Sequence, residues 1–543
     1  MICRELGLAR DFRIKNPENK FGALFLRLRK PIRAWRTKDH RISPPARELV
    51  GDRDHRRETH REDGAPRAAV RVDDGNCTTE ALAKAALTLH PQNLQRSLRM
   101  TRSGCTNLLL TFLVIFAWVP IQEMTVVRAQ IATAAIGDVP IAQLKSEINK
   151  TTPGPLRDFF AGVLAAREGR DDQAIQVLTQ ALPSLRRTAP DQAALALRLL
   201  ADVYDRQGRY ALSRPLYDEL ENSALLNRLT DTDRQGARDD AELSRVIADS
   251  PAQTITSNGP VHLVTSRKNP LGVITTDLTV NGVQSEWILD TGANESVVSR
   301  SLASQLHLSI LPGVAHTSGG VTGIENELHV ALLPSLPLDG VTVHNVVLMV
   351  LDDANLTIPN GNGRSYRIAG IIGFPVLRAL GRITFHHDGT FDATADGGSA
   401  SAGSPLELRL LNPVVEAAVQ GELLPFTLDT GASGTNLSVR FFDRFQAEQS
   451  TWKKVETKNF NAGGETTSQS YLVPSVAFRL GGHTVTLHKL SVAPAAQNAD
   501  IDRLYGNVGE DLFQSVQSFT FDFPNMRFVM GAPLSAPHAT SKD

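Results

Sequence analysis

The stretch Trp287-Ile288-Leu289-Asp290-Thr291-Gly292-Ala293 contains a short apolar run that ends at an acidic residue and a glycine. It recurs 139 residues further on as Phe426-Thr427-Leu428-Asp429-Thr430-Gly431-Ala432. The apolar run is typical of a buried strand, and Asp-Thr-Gly is typical of a sharp turn at its end. A carboxylate delivered into a closed space is costly unless it is hydrogen-bonded, paired or shared. The two copies therefore predict that the carboxylates of Asp290 and Asp429 meet.

Each copy belongs to a longer repeat. A predicted hairpin precedes each Asp-Thr-Gly, with its first strand and glycine turn in residues 273–282 and 414–421. After each copy come a glycine pair, where a hairpin over a cleft would turn, and a loop bounded by glycines. These landmarks are Gly319-Gly320 and Gly370-Ile371-Ile372-Gly373 in the first half, and Gly463-Gly464 and Gly506-Asn507-Val508-Gly509 in the second. Their common order and similar spacing indicate an internal duplication.

Each half resembles a retropepsin-type aspartic protease unit, with Asp-Thr-Gly-Ala, a flap that carries glycines, and an apolar-apolar-Gly loop. Two such units in one chain resemble the pepsin-like arrangement over roughly residues 260–535. The resemblance implies an all-β, bilobed acid-protease fold in which Asp290 and Asp429 are the catalytic pair of an aspartic-type endopeptidase, a hydrolase of peptide bonds. It implies a peptide or protein substrate, no cofactor and no metal, and it makes the two glycine pairs the candidate flaps.

The resemblance also assigns supporting roles around the two aspartates. Thr291 and Thr430 are expected to lock the two loops together through hydrogen bonds from their hydroxyls to the backbone. Gly292 and Gly431 allow backbone N–H groups to approach the carboxylates, because glycine has no Cβ.

Alanine follows each Asp-Thr-Gly, at Ala293 and Ala432. A hydroxyl at that position could donate to the carboxylate and favour its ionised form. Without it, the pair of carboxyls is expected to titrate higher, and the activity optimum is expected to lie nearer neutral than strongly acidic pH.

The second glycine-bounded loop departs from the family pattern at one residue. Asn507 is polar where Ile371 of the first half is apolar. This is either a tolerated surface change or weakened packing under Asp429 that leaves the second lobe inactive. The competing function is therefore a catalytically inactive peptide-binding or scaffold protein with a protease-like fold.

Residues 140–250 show the helical period instead of the strand period. Two helix–turn–helix units turn near Gly169 and Gly208, and the pattern around Leu200 and Tyr217 resembles a tetratricopeptide repeat. The sequence thus predicts an all-α, tetratricopeptide-like domain ahead of the protease lobes. It is either a spacer packed on the catalytic part or a module that recruits a substrate or a protein partner.

Residues 1–99 are rich in Arg, Asp, His and Pro, which predicts a disordered extension or a mis-assigned start. Residues 100–129 have the charged start, the apolar run of about 14 residues and the small-residue site of a signal peptide. An exported protein, periplasmic or extracellular and bacterial in type, is expected, or one anchored by an uncleaved signal segment. The net charge of -1 gives no reason to expect nucleic acid as a partner.

A chain of 543 residues is too long for a single core. The predicted lobes occupy residues 260–394 and 406–535, and the Gly/Ser/Ala-rich segment 395–405 is a flexible linker by composition. Such a linker is long enough for the lobes to pair within one chain, so a monomer with an intrachain active site is expected. Exchange of lobes between two chains remains open.

Overall fold

The computed structural model describes residues 139–319, 324–359, 365–399, 402–461, 464–496 and 502–534. The predicted extension 1–99 and the predicted signal segment 100–129 lie outside the described residues, as do Gly320 and Gly463. Within the described ranges, no helix is both long enough and apolar enough to cross a membrane.

Helices fill residues 141–247, where the sequence shows the helical period. They are α1 (Ile141–Lys150), α2 (Pro155–Arg167), α3 (Asp171–Thr188), α4 (Pro190–Asp205), α5 (Tyr210–Glu221), a 3-10 turn (Leu226–Arg228) and α6 (Asp231–Ile247). Gly169 and Gly208 take φ values of 68° and 66° at the two predicted turns, a conformation that favours glycine. The helix–turn–helix units lie where the sequence predicts them, and their kinship to tetratricopeptide repeats stays a prediction.

The first lobe is built almost wholly of strands. Its elements are β1 (Thr254–Ser257), β2 (Val261–Ser266), β3 (Thr275–Val280), β4 (Val283–Leu289), β5 (Ser296–Ser299), α7 (Arg300–Gln305), β6 (Ala315–Gly319), β7 (Ile324–Leu338), β8 (Val341–Leu351), β9 (Thr357–Pro359), β10 (Ser365–Arg367), β11 (Gly370–Ile372), α8 (Phe374–Ala379), β12 (Arg382–His386) and β13 (Thr390–Thr394). Strand β1 pairs with β8, so this lobe begins before the predicted boundary at residue 260.

The second lobe repeats much of this order. Its elements are β14 (Ser404–Arg409), β15 (Asn412–Val419), β16 (Glu422–Leu428), β17 (Asn436–Leu437), α9 (Val439–Arg444), a 3-10 turn (Gln446–Thr451), β18 (Lys453–Asn461), β19 (Gly464–Leu480), β20 (His483–Val492), β21 (Gly506–Val508), α10 (Glu510–Phe513), β22 (Ser518–Asp522) and β23 (Arg527–Met530). Strand β14 starts at Ser404, so the last two residues of the predicted linker 395–405 belong to a sheet.

The two glycine-bounded loops form the same crossing in both lobes. Strand β11 lies parallel to β4 and antiparallel to β5. Strand β21 lies parallel to β16 and antiparallel to β17 in the same way. A short strand inserted between the two arms of the Asp-Thr-Gly loop fixes the position of that loop in each lobe.

The lobes are joined by one antiparallel sheet to which each contributes three strands. Its order among the described strands is β2, β13, β12, β22, β23 and β14, and the lobes meet where β12 pairs with β22. Phe385 of β12 stacks on Phe519 of β22, with ring centroids 4.8 Å apart. The joint sheet therefore holds the two Asp-Thr-Gly loops in a fixed relation.

The helical segment packs against both lobes. Tyr210 and Ile247 are buried in one apolar cluster with Ile288 and Val297 of the first lobe. At the end of α2, Arg167 donates to the Glu407 carboxylate of β14 at 2.6 and 3.0 Å, and both side chains are almost fully buried. These contacts show the helical segment packed on the two lobes, which is the first of its two predicted roles. The second role, recruitment of a substrate or partner, stays a prediction.

Candidate active site

Each Asp-Thr-Gly loop is held by the strand inserted behind it. The Asp290 N–H donates to the Ile372 carbonyl at 3.0 Å, directly after β4 ends. The Asp429 N–H donates to the Val508 carbonyl at 2.9 Å, directly after β16 ends. The buried apolar runs that the sequence shows before each aspartate therefore end at equivalent points of the two lobes.

Thr291 and Thr430 connect the two loops through fully buried hydroxyls. The Thr291 hydroxyl donates to the Leu428 carbonyl at 2.8 Å and accepts from the Thr430 N–H at 3.1 Å. The Thr430 hydroxyl donates to the Leu289 carbonyl at 2.7 Å and accepts from the Thr291 N–H at 3.0 Å. This reciprocal set of hydrogen bonds places the two aspartates side by side.

Gly292 and Gly431 lie where no larger residue fits. A Cβ added to Gly292 would overlap the carboxyl group of Asp429. A Cβ added to Gly431 would overlap the carboxyl group of Asp290. Each glycine therefore leaves room for the aspartate of the opposite lobe, and the carboxyl groups that the repeat brings together share one space.

The two carboxyl groups have different hydrogen-bond partners. The Asp290 Oδ1 accepts from the N–H groups of Gly292 and Ala293 at 2.8 and 3.1 Å. The Asp429 Oδ1 accepts from the Gly431 N–H at 2.8 Å. Burial raises the pKa of Asp290 well above its usual range, and the neighbouring Asp429 carboxyl raises it further. The Asp290 proton is therefore retained to higher pH than that of an exposed aspartate.

Removal of one threonine hydroxyl tests how strongly the loops are joined. Thr291→Val keeps the size of the side chain but leaves the Leu428 carbonyl and the Thr430 N–H without their partner. Each buried group left unpaired costs about 1–3 kcal/mol. The midpoint of urea unfolding should therefore fall clearly below that of the wild type.

The matched control for this change is Thr291→Ser, which retains the hydroxyl. It should recover most of the lost stability, and both variants are compared by urea unfolding at one pH. Equal midpoints for Thr291→Val and the wild type would contradict the importance of the threonine pair.

Further hydrogen bonds connect each glycine-bounded loop to the segment that follows the Asp-Thr-Gly loop. In the first lobe, the Ser296 hydroxyl accepts from the Gly373 N–H at 3.0 Å. In the second, the Thr435 hydroxyl accepts from the Gly509 N–H at 3.2 Å and is itself held by the Asp511 carboxylate. Both glycine-bounded loops are thereby tied to the loop that carries the aspartate.

Asn507 corrects an expectation from the sequence. The polar residue was expected to be either a tolerated surface change or a packing defect under Asp429, but it is only 8% exposed and its side chain is hydrogen-bonded. Its Nδ2 donates to the Asp429 Oδ2 at 2.7 Å, and its Oδ1 accepts from the Thr427 hydroxyl. The signal that could have revealed this contact is Thr427, which is also polar where the first half has Ile288.

A partly buried ion pair crosses between the lobes beside the second loop. Glu510, the first residue of α10, is fully buried and accepts from the Arg267 Nε at 2.6 Å. Burial raises the pKa of Glu510 to about 7 even though Arg267 lowers it. Sequence reasoning missed this pair because its members are 243 positions apart in the chain.

The candidate flap glycines fall in or beside hairpins. Gly319 ends β6, which pairs with β7, and Gly464 begins β19, which pairs with β18. Strand β6 also meets the helical segment, because the His316 N–H donates to the Glu242 carboxylate of α6 at 3.1 Å. The role of these hairpins as flaps stays a prediction, and Gly320 and Gly463 lie outside the described part of the chain.

The described residues contain no group of three or more His, Cys, Asp or Glu side chains arranged to hold a metal ion.

The geometry agrees with a comparison against protein families. Residues 276–376 and 415–509 match the model of a family described as aspartyl protease. The two lobes have an aspartyl protease fold. The two matched segments contain both Asp-Thr-Gly loops and the glycine-bounded loops behind them, so each half of the internal duplication matches the family model.

Solved structures with a likeness to this chain include three with low TM-scores. Basic 7S globulin from soybean is 12% identical, with a TM-score of 0.31, and the match covers 51% of this chain and 95% of that chain. An aspartic proteinase from Irpex lacteus is 12% identical, with a TM-score of 0.33, and the match covers 52% of this chain and 100% of that chain. A retropepsin-like aspartic protease from Rickettsia conorii is 16% identical, with a TM-score of 0.18, and the match covers 26% of this chain and 91% of that chain. TM-scores this low carry no argument about this chain. No curated protein matches the sequence.

Proposed function

We propose that the chain is an aspartic endopeptidase in which Asp290 and Asp429 activate one water molecule. The observation that supports this most directly is the close approach at the loops, where each glycine leaves space for the carboxyl group of the other lobe. Two carboxyls that share one space cannot both ionise easily, so together they retain one proton. One acid and one base then lie side by side, as peptide hydrolysis requires.

The chemistry follows from that shared proton. The ionised carboxylate takes a proton from water as the water oxygen forms a bond to the carbonyl carbon of the peptide. The protonated carboxyl gives its proton to the carbonyl oxygen, which yields a tetrahedral diol. As the diol collapses and the C–N bond breaks, one diol hydroxyl gives its proton to the ionised carboxylate and the leaving nitrogen takes the proton of the other carboxyl.

A peptide library in water enriched in oxygen-18 tests this proposal. Wild-type chain should cleave a subset of the peptides, and one labelled oxygen should enter each new carboxyl group in a single turnover, because water is the nucleophile. A chain that binds library peptides without cleaving any would support the inactive peptide-binding alternative instead.

The pH dependence of hydrolysis follows from the buried carboxyl. Because the pKa of Asp290 is raised by burial and by Asp429, the form with one shared proton persists as pH rises, and activity is lost only when that proton leaves. Neither Ala293 nor Ala432 supplies a hydroxyl that would favour ionisation. We expect kcat/KM to peak nearer neutral than strongly acidic pH, and a maximum below about pH 3 would contradict this.

The helical segment is proposed to recruit a protein substrate or partner. Its contact with β6 through Glu242 and His316 supports a position near the entrance to the site. Leu212 on α5 is 41% exposed and offers a place for a photo-crosslinking side chain. Crosslinks from that position to a bound protein substrate in the Asp429→Asn variant would support recruitment, and labelling no higher than that of a free control protein would argue against it.

Export to the periplasm or the outside of the cell is part of the same proposal. It depends on the signal segment 100–129, which lies outside the described residues. Fractionation of cells that express the full chain, with N-terminal sequencing of the product, tests it. An uncut chain in the cytosol would contradict export.

A further inference from the structure

Asn507 takes its position from the register of β21. It lies opposite Thr427 in the parallel pairing with β16 and opposite Asn436 in the antiparallel pairing with β17. Thr427 is separated from Asp429 by one residue, so a side chain that leaves β21 beside Thr427 can reach the carboxyl group at the end of β16. Burial to 8% exposure keeps this side chain away from bulk water.

Both ends of the Asn507 amide are occupied. Its Nδ2 donates to the Asp429 Oδ2 at 2.7 Å, and its Oδ1 accepts from the Thr427 hydroxyl. Because an ionised carboxylate can only accept, the NH2 end must face Asp429 when Asp429 carries its charge. The Thr427 hydroxyl fixes that orientation by donating to the other end.

The described strands β11 and β4 of the first lobe place no such donor at the equivalent positions. The residues at the corresponding positions of β11 and β4 are Ile371 and Ile288, which pair in the same register and have only hydrocarbon side chains. A Thr–Asn pair thus replaces an Ile–Ile pair beside one aspartate and not beside the other. The two carboxyl groups are chemically distinct although the fold around them is repeated.

We propose that Asn507 is a positioning residue that favours the ionised form of Asp429. Asp429 is then the base that takes the proton from water, and Asp290 holds the shared proton and gives it to the carbonyl oxygen. This assignment of roles rests on the proposed peptidase function. The amide touches the carboxylate and not the substrate, so it acts through Asp429.

Two further titratable groups face Asp429. Asp290 faces it from the first lobe, and Glu510 faces it from α10, where it is paired with Arg267. Both are unchanged in variants at position 507. A difference in the pH profile between such a variant and the wild type is therefore caused by the change at position 507.

The test gives the second lobe the two side chains that the first lobe has at the equivalent positions. The double variant Thr427→Ile with Asn507→Ile keeps an apolar pair in the register where Ile288 and Ile371 already pack. Loss of the donor should move the acidic limb of the kcat/KM profile to higher pH by about one unit or more, because the ionised base is less stable. Asn507→Asp should move the limb further, because a second carboxylate repels the first.

The control is Ile371→Val, a small change at the equivalent position of the first lobe, which should leave the limb where it is. Thermal unfolding shows whether the double variant is folded. If it is folded and its acidic limb is identical to that of the wild type, the role of Asp429 as the base favoured by Asn507 is overturned. A purely structural role for Asn507 predicts lower stability without movement of the limb.

Thermal unfolding separates this inference from the peptidase proposal. If the wild type cleaves no peptide, the peptidase proposal fails, but the amide can still be tested. The difference in Tm between the wild type and the double variant should grow from acid pH to pH 7, because the hydrogen bond is stronger to the ionised carboxylate. An equal difference at both pH values would overturn the role given to Asn507.

Discussion

Replacement of Asp290 or Asp429 by asparagine is expected to lower kcat/KM for a cleavable peptide by about 10²–10⁴-fold in each case. The amide has the same shape as the carboxyl group, so the loop contacts of the Thr291–Thr430 pair should persist. It neither takes a proton from water nor gives one to the carbonyl oxygen at useful rates. Either single change therefore removes one half of the acid–base pair.

The control for the aspartate variants is Asp277→Asn, on an exposed position of β3 in the same lobe as Asp290. It should cleave the peptide at the wild-type rate. Steady-state kinetics with one peptide from the library, at the optimum pH of the wild type, gives the comparison. Wild-type rates in either Asp290→Asn or Asp429→Asn would rule that residue out of the reaction.

The second large effect is expected on stability, at the contact between the helical segment and the second lobe. Glu407 accepts from Arg167 and, through its other oxygen, from Arg409 at 2.7 and 3.0 Å. All three residues are at most 5% exposed. Glu407→Ala removes the carboxylate that both buried guanidinium groups share, and loss of one partner of a buried ion pair costs about 3–5 kcal/mol.

An exposed pair in the same lobe provides the control for Glu407→Ala. Glu422 and Arg444 form a salt bridge at the surface, with side chains 40% and 49% exposed. Glu422→Ala should lower the free energy of unfolding by about 1 kcal/mol or less, because water screens such pairs. Urea unfolding of both variants at pH 7 measures the difference, and equal losses would show that the buried contact does not hold the helical segment in place.

The active-site loops could be predicted because their causes are local. A strand pattern, a glycine turn and a buried carboxyl follow from a few adjacent residues, and duplication repeats them around Asp290 and Asp429. The hairpins lie where that pattern predicts them, and the two glycine-bounded loops contain the short inserted strands β11 and β21. The helix–turn–helix units were predictable for the same reason, since helical periodicity and turn glycines are read within one short segment.

Contacts between distant segments could not be predicted in the same way. The Arg167–Glu407 pair joins residues 240 positions apart, and the apolar stripe of a helix does not identify the surface that covers it. The role of Asn507 depended on strand register, because only the pairing of β21 with β16 directs its amide to Asp429. From the sequence, the polar Asn507 in an apolar motif therefore suggested a packing defect. In the structure, its amide donates a hydrogen bond to the Asp429 carboxyl group.

The most direct test of a single shared site is a double-variant cycle. kcat/KM is measured with one peptide for the wild type, Asp290→Asn, Asp429→Asn and the chain that carries both changes. Because residues that act as a unit have non-additive effects, the double variant should be no slower than the slower single variant. Losses that multiply in the double variant would mean that the two carboxyl groups act independently, and would contradict one site formed by both lobes.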